Sequence, residues 1–163
     1  MISIILAVAE NNAIGIKNKL PWNLSGDLKY FSKTTTGKTV VMGLNTYKSI
    51  ISMIGKPLPN RKNVVLTLEK DPSIPDEQLT SIQEILDLGG KEDIFVIGGA
   101  SVFAQTIPHA DKLYITRVHG SPEADAFLKE IGMNEWKLIS SDPHTKDEKN
   151  DYDYTFEIYE RAR

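Results

Sequence analysis

An aspartate set in an apolar stripe is the first residue in this chain whose type and spacing could do chemistry. Leu24, Asp27, Leu28 and Phe31 fall at i, i+3, i+4 and i+7 of a helix expected to begin near Ser25, with Lys29 and Lys33 on the opposite side. That spacing turns Asp27 inward. An acid in a first turn complements the helix dipole, which alone would account for its type. A carboxylate among apolar groups is costly unless paired, however, and such placements are retained mainly for recognition or proton chemistry. Its natural partner would be a cationic or multi-donor ligand.

A second feature is Ile97-Gly98-Gly99-Ala100-Ser101, which follows the apolar run Ile94–Ile97 and opens another expected helix ending near Pro108. Paired glycines at a strand-to-helix turn allow close backbone approach, and free N–H groups at a helix start suit a phosphate. A tight turn with no ligand explains the pair equally well, and the spaced three-glycine dinucleotide fingerprint is absent. Gly37-Lys38-Thr39 resembles the end of a phosphate loop, but Ser32 stands where the first glycine belongs and a strand is expected next. His109, His119 and His144 lack short metal-ligand spacing, so no metal site is expected, and no Gly-x-Ser-x-Gly elbow exists. Trp22, after Pro21, reads as a core aromatic at a loop end.

The chain around these residues has 163 residues, 40% hydrophobic and 25% charged, which describes one globular domain over residues 1–163. At this length roughly 70% of the unfolded surface can be buried, enough for a core without disulfides or structural metal. The absence of Cys removes thiolate nucleophiles and Cys-ligated metals, and is compatible with a cytoplasmic location. With 19 Lys and Arg against 22 Asp and Glu, the net charge of −3 offers no basic stripe, so nucleic acid is not an expected partner. The apolar start Met1–Ala9 lacks a basic flank and a cleavage pattern, so it reads as a buried strand rather than a signal peptide. No apolar stretch approaches the roughly 18 residues of a membrane span.

Positioning these residues requires a sheet with helices. Continuous apolar runs at Ile2–Val8, Thr39–Met42, Asn63–Leu66, Ile94–Ile97 and Leu113–Val118 suggest strands covered on both faces. Four helices are expected, beginning near Ser25, Asn45, Ser81 and Ala100. Ser81 and Glu84 form a capping box for the third, and Gly89-Gly90 is expected to end it. The alternation implies an α/β fold with a mainly parallel central sheet of about eight strands and four flanking helices. Trp136–Ile139 and Tyr152–Ile158, enclosing the polar Asp142–Asp151, predict a C-terminal antiparallel hairpin.

Together these pieces resemble bacterial dihydrofolate reductases along essentially the whole chain. The matching segments are Ile14-Gly15, Leu20-Pro21-Trp22-Asn23-Leu24, Asp27-Leu28 with Phe31, Val41-Met42-Gly43, Asn45-Thr46-Tyr47, the run from Lys56 to Asn63, Ile97-Gly98-Gly99 and Leu113-Tyr114-Ile115-Thr116. The resemblance implies hydride transfer from NADPH to C6 of 7,8-dihydrofolate and protonation of N5. It gives Asp27 the pterin and electrostatic assistance of N5 protonation, with water as the immediate proton carrier positioned by Trp22 and Thr116. Ile5, Leu28, Phe31, Ile50 and Leu58 would wall the pterin and aminobenzoyl rings, and Arg61 would pair with the α-carboxylate of the glutamate tail. Ala7, Ile14, Gly15, Asn18, Leu20, Gly43, Asn45, Thr46 and Ile97 map around the cofactor, and Gly98, Gly99, Ala100, Ser101 and Val102 to its diphosphate turn, where the Gly98–Gly99 bond is expected to be cis. Gly15–Leu20 resembles a mobile lid, braced by Asp125. A cytoplasmic monomer is the expectation.

The chain departs from that pattern in places. Leu44 stands where many relatives carry an Arg for the 2′-phosphate, and Leu68 and Ser101 also replace polar or basic groups, so NADH use is an open alternative to NADPH. Lys38, Asn45, Lys48 or Lys70 could compensate. Ile51-Ser52-Met53-Ile54 looks like an insertion lengthening the second helix. Asp151 stands where some relatives use a Ser to hold another lid state, and repulsion from Asp125 is expected to disfavour that state. Two other readings remain: a related reductase of riboflavin biosynthesis, and a pterin- or nucleotide-binding module without turnover.

Overall fold

The computed structural model describes residues 1–162. Its elements run β1 (Ile2–Ala9), β2 (Ala13–Gly15), α1 (Ser25–Thr35), β3 (Thr39–Gly43), α2 (Leu44–Ile54), β4 (Lys62–Leu66), β5 (Glu77–Leu79), α3 (Ile82–Lys91), β6 (Ile94–Gly98), α4 (Ala100–Thr106), β7 (Lys112–Val118), β8 (Ala126–Phe127), β9 (Trp136–His144) and β10 (Tyr154–Arg161). The main sheet has eight strands in the order β5-β4-β3-β6-β1-β7-β10-β9. All pairs are parallel except β7–β10 and β10–β9, the expected hairpin. Each apolar run is thus a strand, because the central strands are covered on both faces and alternation has no solvent side to report. Val40, Val41, Met42, Val64, Val65 and Val96 are fully sealed from solvent.

One face carries the cluster of Ile2, Ile4, Val41, Val64, Ile85, Leu113 and Ile115 beneath α3 and α4, and the other carries Ile5, Val40, Met42, Tyr47, Val65 and Phe95 with α2. The helix after β3 leads outward to β4, whereas the helix after β6 crosses β1 to reach β7. Neighbouring strands whose helices leave in opposite directions make a crevice at their carboxyl ends, the usual ligand position of such sheets.

Two local readings are corrected. Gly89 and Gly90 lie inside α3, which runs on to Lys91. A Cβ at Gly89 would stand 2.3 Å from Ile2 Cγ1, so this glycine is required by close packing and is not a helix stop. The capping box does form, with Ser81 Oγ accepting from the Glu84 N–H at 3.2 Å. The polar stretch after Ile139 does not start a loop either, since β9 continues to His144 as an exposed edge strand. Solvent on β9 removes the apolar signal there, while backbone pairing to β10 persists.

Candidate active site

Asp27 lies in the first turn of α1 and is 9% exposed. Its Oδ1 accepts from Thr116 Oγ1 of β7 at 2.7 Å. Burial pushes the Asp27 carboxyl up from its ordinary value, and the Thr116 hydrogen bond partly offsets this. A carboxyl so placed takes a proton more readily than one in water. Trp22, 5% exposed, sits with Leu24, Val118, Tyr154 and Phe156, and its buried indole N–H has no hydrogen-bond acceptor among the described residues. Such a donor is suited to a water or ligand oxygen.

The inward stripe of α1 is narrower than its spacing suggests. Leu24 and Asp27 are buried and Phe31 is half-buried, but Leu28 is 56% exposed. Leu28 therefore stands on the open rim. Phe31, Ile50, Leu58 and Ile97 pack around the Ile5 cluster, joined by Phe95 and Tyr114, which spacing gave no reason to single out. Arg61 is held in place by the protein's own groups: Nη1 donates to Thr35 Oγ1 at 3.0 Å, Nε donates to Pro59 O at 2.9 Å, and the guanidinium lies 6.0 Å from the Phe31 ring centre. Asn63 shapes the loop that carries it, bonding Leu58 through both its N–H and its carbonyl and donating also to Arg61 O.

The crevice between β3 and β6 holds the other group of candidates. The Gly98–Gly99 peptide is cis, and Gly98 has φ +132°, a conformation that favours glycine. A Cβ at Gly43 would come within 3.1 Å of Val102 Cγ2, and Cβ atoms at Gly98 and Gly99 would meet Thr46 Oγ1 at 3.4 and 3.5 Å. The structure thus brings Gly43, Thr46, Gly98 and Gly99 together. Helix α2 starts at this point without a side-chain cap, leaving first-turn N–H groups, Asn45 and Thr46 among them, at the crevice. Ala100 and Ser101 begin α4, and Val102 is buried, so its side chain is not available to a ligand. β1 lies between β6 and β7, and Ala7 pairs with Thr116. A small residue therefore separates the glycine turn from the Asp27–Thr116 pair.

The Gly15–Leu20 segment is a tight turn, with Ile16 and Lys19 exchanging hydrogen bonds at 2.8 and 2.9 Å and with Lys17 and Asn18 both left-handed. Ser49 of α2 donates to the Asn18 carbonyl. Ile14 and Gly15 are half-buried and Leu20 is exposed. Asp125 accepts from Lys17 N–H at 2.9 Å and donates its own N–H to Gly15 O at 3.0 Å, so it does brace this loop. Asp151 accepts instead from Asn23 N–H at 2.8 Å. In this arrangement each carboxylate has its own backbone donor, and the repulsion is an expectation for the other lid state.

Leu44 packs half-buried beside Tyr47 and Ile74, whereas Leu68 is 98% exposed. Tyr47 Oη donates to Asp76 at 2.8 Å, and burial with that bond pushes the phenol to about 12.

The sequence model of the dihydrofolate reductase family matches residues 1–161. Similar proteins include a dihydrofolate reductase of Bacillus subtilis, 45% identical over 99% of this chain and 95% of that protein, and one of Staphylococcus haemolyticus, 36% identical over 99% and 96%. A solved structure of Enterococcus faecalis dihydrofolate reductase, complexed with NADP(H) and a propyl-bearing ligand, superposes with TM-score 0.90 at 36% identity, covering 100% of this chain and 97% of that one.

Proposed function

The chain belongs to the dihydrofolate reductase family, and from that premise we infer how its residues divide the work of reducing 7,8-dihydrofolate to tetrahydrofolate with NADPH. The observation that carries the reading is the buried Asp27, bonded to Thr116 at 2.7 Å on the same side of the sheet as the Ile5 cluster. Its carboxylate accepts from the pterin ring N–H and 2-amino group, a charge-assisted pair that fixes the ring. Trp22, packed with Leu24 at the entrance of α1, supplies a buried donor for the water that brings the proton to N5, and the raised proton affinity of Asp27 favours protonation there. Ile5, Leu28, Phe31, Ile50 and Leu58 exclude water around the rings, and Arg61, already oriented by Thr35 and Pro59, meets the tail carboxylate.

NADPH fits the crevice, because the glycines leave open the space that Cβ atoms would fill and the uncapped start of α2 offers N–H groups. Bound there, it supplies the hydride. Gly43, Asn45, Thr46 and Gly98 to Val102 would hold it, with Ala7, Ile14, Gly15, Asn18, Leu20 and Ile97 around its nicotinamide end. Closing the Gly15–Leu20 loop excludes water from the reacting carbon. Leu44 and Leu68 offer no charge to a 2′-phosphate, so NADH is accepted alongside NADPH. The same reading makes the chain a cytoplasmic monomer of one domain that takes neither nucleic acid nor membrane. The net charge of −3 speaks against a nucleic-acid backbone as partner, and no described helix is long and apolar enough to cross a bilayer.

The test is the absorbance decay of NADPH, and separately of NADH, with and without 7,8-dihydrofolate. Dihydrofolate-dependent decay with both cofactors is expected. Decay with NADPH alone would reject the NADH assignment, and binding of folate without decay would favour a non-catalytic module.

A further inference from the structure

The chain gives helix α1 no side-chain cap of its own. Its N-cap position is Leu24, whose side chain is buried and apolar. The cap comes from the loop joining β9 to β10, about 124 residues away in sequence. Asn150 Oδ1 accepts the Gly26 N–H at 3.0 Å, and Lys149 O accepts the Ser25 N–H at 3.2 Å. Asp151 adds two further bonds to Asn23, accepting its N–H at 2.8 Å and donating to its carbonyl at 2.9 Å. Asn150 is only 7% exposed, and its amide N–H donates to Asp147 Oδ1 at 2.9 Å, which fixes which way its oxygen points. The fit is close enough that a Cβ at Gly26 would stand 2.1 Å from Tyr154 Oη.

Asp27 is the next residue. Its bond to Thr116 joins two elements, α1 and β7, that share no backbone pairing. The hairpin is the element that touches both: β10 pairs with β7 at Phe156–Thr116, while its loop grips residues 23–26 of the α1 entrance. Stacking of Phe156 on Tyr30 of α1, with ring centres 4.0 Å apart, closes the same unit.

We propose that Asn150 is a positioning residue for Asp27, capping α1 from the hairpin and so setting where the carboxylate stands relative to Thr116 and the substrate. The proposal rests on the assignment of Asp27 to the pterin. Asn150 touches no substrate, cofactor or reacting atom in this account. Its effect reaches the chemistry through the first turn of α1 alone.

The test compares Asn150→Ala and Asn150→Asp, in the wild-type and the Asp27→Asn backgrounds, by single-turnover NADPH oxidation with 7,8-dihydrofolate and by NADPH binding from quenching of protein fluorescence. Asn150→Ala is expected to slow turnover about tenfold, the scale of a small misplacement of a reacting group, with NADPH affinity unchanged. Asn150→Asp keeps the acceptor for Gly26 and, made together with Asp147→Asn so that no carboxylate faces it, is expected to recover most of the rate. In the Asp27→Asn background the loss should shrink to within about twofold, since coupled residues are non-additive. An equal loss in both backgrounds, or lowered thermal stability with unchanged rate, would overturn the proposal. If Asn150→Ala does not fold, Asn150→Ser is read against the same outcomes. Should Asp27→Asn alone leave the rate intact, it is the assignment of Asp27 that fails.

Discussion

Asp27 stands at one end of the proposed site with its carboxyl largely buried and bonded to Thr116, whereas the other end, at Gly43, Gly98 and Gly99, is shaped by the side chains it lacks. In the proposed division the first end recognises and protonates with side chains, so each residue there has a chemistry that can be removed singly. The second offers backbone and space, so its residues are broken by addition. One kind of substitution should therefore move turnover and substrate affinity, and the other cofactor affinity.

After the loss of turnover expected on removing the Asp27 carboxylate, the next largest effect that sharpens this contrast is expected at Arg61. Arg61→Ala should raise KM for dihydrofolate roughly 10- to 100-fold, the ~1.5–3 kcal/mol of a charge-assisted hydrogen-bonded pair, with NADPH affinity unchanged by fluorescence titration. Gly89→Ala provides a control on the far face. Its Cβ would stand 2.3 Å from Ile2, so overpacking should cost about 1–2 kcal/mol in a urea melt and leave kcat alone. Gly43→Ala places a Cβ 3.1 Å from Val102 at the crevice. It should weaken NADPH binding by about three- to tenfold, less than 1.4 kcal/mol, with the KM for dihydrofolate little changed.

The smallest effect concerns stability. Burial raises the proton affinity of Asp27, so the folded state holds that proton more tightly than the unfolded state. Stability therefore falls as pH rises from the ordinary carboxylate pKa through the raised one, and the full penalty is present above the raised value. Asp27→Asn removes the charge and should raise Tm at neutral pH in a thermal melt, with the gain disappearing in acid below the ordinary carboxylate pKa. A variant that is less stable at neutral pH would show that the carboxylate is a structural group rather than one held at a cost for function.

The fold was largely legible because its signal is burial. The five apolar runs became strands with ends shifted by one residue or so, and the Ser81–Glu84 capping box formed. What escaped were elements too short or too polar to carry a pattern: β2 and β8, of three and two residues, and β5, Glu77–Leu79. Their pairing comes from neighbours. Gly89-Gly90 misled for a related reason, since a glycine that makes room for Ile2 looks the same in sequence as one that ends a helix.

At the site, Asp27 stood out because a carboxylate interrupts an apolar stripe, and the glycine pair because it follows a strand. Leu28 had the spacing of an inward residue, but the stripe there faces an opening. Asn150 left no trace, and no sequence pattern pointed to the bonds of Asn63 with Leu58, because an amide that bonds backbone elsewhere in the chain has no local periodicity. Asn150 and Gly26 are brought together only when the β9–β10 hairpin closes on α1.

The most direct measurement of the division between the two ends is made on Asp27→Asn, with the dihydrofolate-dependent rate of NADPH oxidation and the NADPH dissociation constant taken from the same preparation at neutral pH. With Asp27 in the proposed role, the rate falls by about 10²–10⁴, the range of positioned proton transfer, and the dissociation constant is unchanged. A rate close to wild type, or a cofactor affinity that falls in step with the rate, would contradict that role.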